Sequence, residues 1–495
     1  MSQINVSGLT FYYDGTYENI FEDVSLQIDT DWKLGFIGRN GRGKTTFLSL
    51  LLGKYEYIGS ITAATTFDYF PYPITDKSQM GIEIIEQIDP QYEFWRICKE
   101  LNLLDVDIES LYRPFQTLSN GEQTKVMLAV LFARENNFLL IDEPTNHLDI
   151  QARESVMAYL NRKKGFILVS HDRWFLDGCV DHILAINKTN IEVIQGNFTS
   201  WWKQKQRRDE TEIAENEKLK REVGRLTKSA QQAGRWSEAV EKTKIGTRVA
   251  GLRPDRGFIG HKSAKMMKRA MNTEKRAQEA LDEKKKLLRN IETTDSLKLN
   301  PLHYRKELLI SVKDAAVSYD GKKVCENINF TLRQGKCIAL QGRNGCGKSS
   351  ILKLILGAEI YYEGQIEVAA GLKISYVPQD TSGLSGKLDT WIQQNGVEEY
   401  LFKALLRKLD FERGHFEKPL EMYSEGQKKK VLLARSLCEP AHLYIWDEPL
   451  NYIDVFSRMQ IEDLIKEFKP TILLVEHDKT FLEAIGAEVV IFQEG

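Results

Sequence analysis

Apolar residues change their period three times along the chain. At residues 4–15, "INVSGLTFYYDG" alternates apolar with polar positions, and the alternation returns at residues 310–321 as "ISVKDAAVSYDG", so each predicts a half-buried strand. The continuous apolar runs "NNFLLIDEP" (136–144) and "AHLYIWDEP" (441–449) instead predict buried strands, each ending in a pair of carboxylates. A second apolar run in each half ends at a histidine, His171 or His477. Between the halves the spacing lengthens to three and four at Leu219, Val223, Leu226, Ala230, Ala233 and Val240, which is a helical seam. A weaker return seam runs through Ala270, Ala277, Leu281, Leu288 and Ile291, with Glu274 and Lys284 at seam positions. Pro254 and four glycines, Gly246, Gly251, Gly257 and Gly260, interrupt the pattern. The expectation is an antiparallel helical hairpin with its tip at about 245–261 and arms of roughly 30 to 35 residues, about 45 to 50 Å long.

The matching patterns belong to a repeat. "GFIGRNGRGKTTFLSLLLG" returns as "ALQGRNGCGKSSILKLILG", and "LLIDEPTNHLD" as "YIWDEPLNYID". Lys44 and Lys348 are 304 residues apart, Asp142 and Asp447 are 305, and His171 and His477 are 306. The predicted architecture is therefore α/β, with one domain over 1–198, a helical linker over 199–304 and a second domain over 305–495. Charge divides along the same boundaries. Residues 201–300 carry a net charge of +11, whereas the remainder carries −13 of the overall −2. The linker charges suit a polyanionic partner, although a solvated spacer would also carry them. No run of about eighteen apolar residues occurs and the first residues do not read as a secretory leader, so a cytoplasmic protein without a membrane partner is expected. Six scattered cysteines show no metal-binding spacing and read as reduced thiols.

Each half contains G-x-x-x-x-G-K-[ST], in which backbone N–H groups approach phosphate oxygens at a helix N-terminus. Candidate ATP-binding residues are Gly38, Asn40, Gly41, Gly43, Lys44, Thr45 and Thr46, and in the second half Gly342, Asn344, Gly345, Gly347, Lys348, Ser349 and Ser350. Thr45 and Ser349 would ligate Mg²⁺ together with Asp142 and Asp447, while Glu143 and Glu448 would orient the attacking water. Their alternative role is helix capping. His171 and His477 are candidate γ-phosphate contacts, where a lone histidine would usually be structural. Tyr13 and Tyr319 could stack on adenine or could be core tyrosines of the strand.

With these motifs the chain resembles the ATP-binding cassette superfamily over both halves. The remaining hallmark, a signature loop, is present as "LSNGEQTKV" and "YSEGQKKKV". The resemblance implies two ATPase domains closing head to tail on two ATP molecules within one monomer. Lys44 would then share a nucleotide with Ser424 and Gly426, and Lys348 with Ser119 and Gly121. It also assigns Asp149 and Asp454 to the D-loops and Gln379 to the Q-loop, as a ligand of metal and nucleotide. The first half has Tyr72 at the Q-loop position, and Glu425 puts an acid where the family often has glycine, facing the first P-loop. Slower hydrolysis is therefore expected at the Lys44 site.

Twin cassettes joined by a charged hairpin, with "PTNHLD" at 144–149 and "GNF" at 196–198, resemble the F subfamily, and within it the Lsa and Vga type resistance members. That likeness implies a partner, the 70S ribosome, with the hairpin reaching 23S rRNA and the P-site tRNA from the tRNA exit site. There it would displace lincosamides, pleuromutilins or streptogramin A. Candidate RNA contacts are Arg248, Leu252, Arg253, Arg256, Phe258, Ile259, Lys262, Lys265, Lys268 and Arg269. A housekeeping translation factor and the ATPase subunit of an efflux transporter are the alternatives. A DNA-repair ATPase is disfavoured because neither cassette is split and no cysteine cluster is present.

Overall fold

The computed structural model describes residues 2–13, 19–134, 137–146, 148–187, 190–242, 256–287, 299–319, 322–409, 411 and 413–492. Two compact units result, one formed by 1–199 with 294–495 and the other by 200–293.

In the first cassette, strands β1 (Gln3–Phe11) and β2 (Phe21–Asp29) form the antiparallel pair that the alternation predicts. Strand β3 (Lys33–Ile37) leads into helix α1 (Lys44–Leu51), and β4 (Ile58–Thr62) pairs with β1 on its other edge. Strand β5 (Thr66–Phe70) precedes a helical subdomain of α2 (Gly81–Ile88), α3 (Phe94–Leu103) and α4 (Asn120–Ala133). Then follow β6 (Asn137–Asp142), α5 (Ile150–Asn161), β7 (Phe166–Val169), α6 (Arg173–Cys179), β8 (His182–Ile186) and β9 (Ile191–Gln195). The main sheet has the order β5-β6-β7-β3-β8-β9, parallel except for the last pair. Because β3 lies between strands that follow it in sequence, its C-terminal end opens where ligands bind in α/β sheets.

The core explains the layering. Phe36 of β3, Phe47 and Leu48 of α1, Phe21 of β2 and Leu140 of β6 are all buried in one cluster, so the antiparallel sheet closes over the P-loop helix. At roughly 1.5–3 kcal/mol per buried large apolar side chain, this packing fixes the helix far more firmly than its eight residues could by themselves.

The second unit contains helix α7 (Phe198–Lys242), which begins in the first unit, and helix α8 (Arg256–Leu287). Helix α7 has 45 residues, about 68 Å, and is longer than the arm expected from the seam. Residues 256–261 belong to α8 rather than to a turn, because Gly257 and Gly260 are tolerated within a helix whose neighbours favour it. Arg248, Leu252 and Arg253 lie outside the described residues, as do the side chains of Arg256, Phe258 and Ile259.

The second cassette repeats the plan: β10 (Leu308–Tyr319), β11 (Lys322–Arg333), β12 (Cys337–Gln341), α9 (Lys348–Ile355), β13 (Tyr362–Val368) and β14 (Ile374–Val377). Helices α10 (Leu388–Gln394), α11 (Glu399–Lys408) and α12 (Glu425–Cys438) precede β15 (Leu443–Asp447), α13 (Val455–Phe468), β16 (Ile472–Val475), α14 (Lys479–Ile485) and β17 (Glu488–Ile491). The parallel order is β14-β15-β16-β12-β17. Residues 299–304, expected in the linker, pack with this cassette: Leu299 is buried in its helical core, and Leu302 N donates to Ala441 O at 2.8 Å.

Among the described residues, no helix is long and apolar enough to cross a membrane. All six cysteines are free thiols.

Candidate functional site

The two P-loops have the same geometry. Gly43 and Gly347 cap their helices at φ 92° and 87°, in the left-handed region. A Cβ on Gly43 would also lie 2.6 Å from Ile20 Cγ2, so only glycine fits there. Lys44 Nζ donates to Gly38 O at 2.7 Å and Arg39 O at 3.1 Å, and Lys348 Nζ donates to Gly342 O at 2.8 Å and Arg343 O at 2.7 Å. Both ammonium groups thus sit inside the loop where phosphate oxygens would lie. Burial holds the Lys44 pKa below its ordinary value, although Asp454, Glu143 and Asp142 oppose this.

Tyr13 hydrogen-bonds with Thr46 Oγ1 at 2.9 Å and Tyr319 with Ser350 Oγ at 3.0 Å. The two residues are 38 % and 45 % exposed beside the first helical turn, where a base can stack, and do not belong to the core.

Strands β6 and β15 deliver the carboxylates. Glu143 and Glu448 follow them at φ 52° and 47°, a conformation that costs a non-glycine residue about 1–2 kcal/mol. Bonds from Glu143 N to Val169 O (2.9 Å) and from Glu448 N to Val475 O (3.0 Å) hold it in place. Thr45 Oγ1 donates to Asp142 Oδ2 at 3.2 Å, and Ser349 donates to Asp447. Burial and the charge of Glu143 raise Asp142 to about 6, and burial raises Asp447. Asp447 Oδ1 is buried without a hydrogen-bond partner, which suits a divalent cation beside the Ser349 hydroxyl. Among the described residues no cluster of three His, Cys, Asp or Glu could hold a metal by itself, so a cation there would draw on hydroxyl and nucleotide oxygens. Mg²⁺ bound there would offset phosphate charge and orient the phosphoryl oxygens. Thr45 with Asp142, and Ser349 with Asp447 and Gln379, are the residues placed to hold it.

The two sites then diverge. His171 Nε2 lies 3.0 Å from Glu143 Oε1. Burial raises the Glu143 pKa, but His171 and Lys44 outweigh it and the carboxyl ends below its ordinary value. In the second site Glu448 instead accepts from Asn451 Nδ2 at 2.6 Å, and neither ring nitrogen of His477 has a hydrogen-bond partner. Burial, with Arg153 and Lys348 nearby, lowers His477 to about 3, so its imidazole is neutral.

Across the cassettes, a cavity of about 430 Å³ is lined by Lys348, Ser349, Gln379, Glu448 and His477 from one and by Asn120, Leu148 and Arg153 from the other. Asn120 opens α4 directly after Ser119, which caps that helix in a capping box with Glu122. At the Lys44 site, Asn40 Nδ2 donates to Tyr452 O at 2.9 Å. Tyr452 also lies against Gly426, where a Cβ would be 2.9 Å from its carbonyl oxygen, so the second signature loop reaches the first P-loop through this residue. Ser424 caps α12 as Ser119 caps α4. Asp149 and Asp454 cap α5 and α13. A Cβ added at Gly121 would stand in ordinary contact with Ala152 and Leu148. Gly41 and Gly345 keep the loops open at φ 83° and 85°.

One expectation needs correction. Tyr72 does not face the nucleotide site: its hydroxyl donates to Asp68 at 2.9 Å, in a cluster with Arg134. Tyr69 occupies the site instead and donates to Asp142 Oδ2 at 3.0 Å. Thr381 and Lys428 of its own cassette hold the Glu425 carboxylate at 2.5 and 3.1 Å, and its charge reaches Tyr452, whose carbonyl accepts from Asn40 of the first P-loop. Sequence reasoning also missed Arg153 and Arg458, each buried four residues after a D-loop aspartate, although their offset of 305 matches the repeat.

On α8, Lys262, Lys265, Lys268 and Arg269 are exposed, while Ser263 is buried and Met266 half-buried. At about 100° per residue the four basic side chains, joined by Lys275 and Arg276, fall within about 140° around the helix. This is one basic face.

A family model described as "ABC transporter" matches residues 21–146 and 325–451. The ribosome protection protein VmlR of Bacillus subtilis is 28% identical, with the alignment covering 98% of this chain and 86% of VmlR. ABC transporter F family member 2 of Arabidopsis thaliana is 24% identical over 100% of this chain and 77% of its own. Among solved structures, a model of ribosome-bound archaeal Pelota and ABCE1 superposes with a TM-score of 0.64 at 19% identity, over 99% of this chain and 76% of the matched one.

Proposed function

The chain belongs to the ABC transporter family, with two tandem ATPase domains that hydrolyse ATP, and from that premise we propose that it is an ABC-F protein acting on the ribosome. In this reading ATP closes the cassettes, the protein enters the tRNA exit site in the cytoplasm, and the linker touches 23S rRNA and the P-site tRNA. The tip, which runs from the segment between α7 and α8 into the start of α8, then displaces lincosamide, pleuromutilin or streptogramin A antibiotics from the peptidyl-transferase centre. Hydrolysis reopens the sandwich and releases the protein.

The basic face of α8 carries this reading. A linker with net charge +11 between acidic cassettes concentrates cations where an RNA backbone can use them. The relative VmlR, a ribosome protection protein, supports the resistance role.

The test is co-sedimentation of a Glu143→Gln/Glu448→Gln double variant with ATP. Recovery with 70S ribosomes is expected, and recovery with membranes instead would sink the proposal. Drug susceptibility with residues 247–261 replaced by a Gly-Ser loop tests the finer claim, since unchanged resistance would refute a tip-driven mechanism.

A further inference from the structure

Arg153 and Arg458 sit where the two ATP sites meet. Arg153 lines the cavity of the Lys348 site beside Glu448 and His477, although its own cassette carries the Lys44 site. Its Nε donates to Leu148 O at 3.0 Å and its Nη1 to Asp172 Oδ2 at 2.8 Å. Asp172 follows His171 directly and caps α6, accepting from Phe175 N at 3.0 Å. The orientation of Asp172 therefore sets the backbone from which His171 reaches Glu143.

Arg458 repeats the arrangement in the opposite sense. Its Nη1 donates to Asp478 Oδ2 at 2.9 Å, its Nε to Ile453 O at 2.9 Å and its Nη2 to Leu450 O at 3.0 Å. Asp478 follows His477 and caps α14. The charge of Arg458 helps to lower the pKa values of Glu143 and His171 in the other cassette. Asp172 and Asp478 are also close enough for the charge of Asp478 to raise the Asp172 pKa. All four side chains are buried.

We propose that Arg153, which lines the Lys348 site, is a positioning residue that through Asp172 sets the histidine of the Lys44 site, and that its repeat counterpart Arg458, bonded in the same way to Asp478, does the reverse. A γ-phosphate in the Lys348 site attracts the Arg153 guanidinium, and its bond to Asp172 links that shift to the position of His171 relative to Glu143. Phosphate in the Lys44 site acts through Arg458 and Asp478 on His477. The two sites are coupled by buried ion pairs rather than by the D-loop backbone alone. This inference concerns ATP turnover by the isolated protein and does not depend on the ribosomal reading.

The experiment measures ATP turnover in the Glu448→Gln background, where only the Lys44 site hydrolyses while both can bind ATP. The starting protein should respond sigmoidally to ATP, with a Hill coefficient approaching about 2 for two coupled sites. Adding Arg153→Lys should bring it to about 1 and lower the saturated rate about fivefold or more, with the unfolding temperature maintained. Asp172→Asn should do the same, and the double variant should be no worse than either single one, because both act on one connection. Arg458→Lys in the Glu143→Gln background is the mirror experiment and serves if the first variants fold poorly. A starting protein without cooperativity, variants that keep it while losing rate or stability, or additive losses would overturn the proposal.

Discussion

Tyr69 places its hydroxyl 3.0 Å from the Asp142 carboxylate, on the same Oδ2 atom that Thr45 reaches. In its counterpart in the repeat, Tyr376, burial and then the charge of Asp447 raise the pKa to about 12. A hydrogen bond on a carboxylate oxygen competes directly with a cation for that oxygen. Removing the hydroxyl by Tyr69→Phe should therefore tighten Mg²⁺ at the Lys44 site. A hydrogen bond to a charged group contributes about 1.5–3 kcal/mol, so a Mg²⁺ half-saturation lower by about tenfold or more is expected for turnover in the Glu448→Gln background. A weaker Mg²⁺ response would show that Tyr69 supports the metal site.

The glutamates are held by different partners, Glu143 by His171 and Glu448 by Asn451. With Gln379 lining the Lys348 cavity and Tyr69 bonded to the metal carboxylate of the Lys44 site, the Lys348 site is expected to be the faster. Glu448→Gln should remove most steady-state ATPase activity, and Glu143→Gln a smaller share. Equal losses in the two single variants would contradict unequal sites.

Arg173 of α6 forms an ion pair with Glu462 of α13 across the cassettes, both side chains being more than nine-tenths buried. Arg173→Ala leaves a buried carboxylate without its cation, and by analogy with other buried pairs should destabilise the joined cassettes by about 3–5 kcal/mol. Denaturant unfolding of the variant checks this.

Glu476 is buried at the same junction, accepts from the backbone N–H groups of Leu450 and His477, and is raised by burial from 4.5 to about 7. The folded protein keeps this proton at pH values where the unfolded chain has released it. Its stabilising contribution is complete below pH 4.5 and is lost as the pH rises to 7, a swing of about 3 kcal/mol. Glu476→Gln loses one backbone acceptor at every pH, so its stability relative to the parent should rise between pH 5 and 7. A pH-independent difference in thermal unfolding would show that Glu476 does not titrate in this range.

If the basic face of α8 binds phosphates, exchanging Lys262, Lys265, Lys268 and Arg269 for Gln should reduce the slope of log affinity for ribosomes against log salt by about 3. An unchanged slope would mean that these side chains face solvent in the complex.

The sequence by itself determined the repeated P-loops, the strand-end carboxylates, the signature serines and the charge division, because each is written in contiguous residues whose spacing is set by local geometry. A phosphate cradle needs its glycines, lysine and hydroxyl within one strand-to-helix turn, and Gly38 to Thr45 already specifies that turn. Only the tertiary structure decided which side chains converge from distant segments. Tyr69 rather than Tyr72 reaches Asp142 because the direction of a side chain at the end of β5 depends on its pairing with β6, not on a motif count. Asn40 meets Tyr452, 412 residues away, and Arg153 enters the Lys348 cavity because the cassettes pack head to tail. Such contacts depend on shape and burial across an interface, and no one-dimensional spacing encodes them.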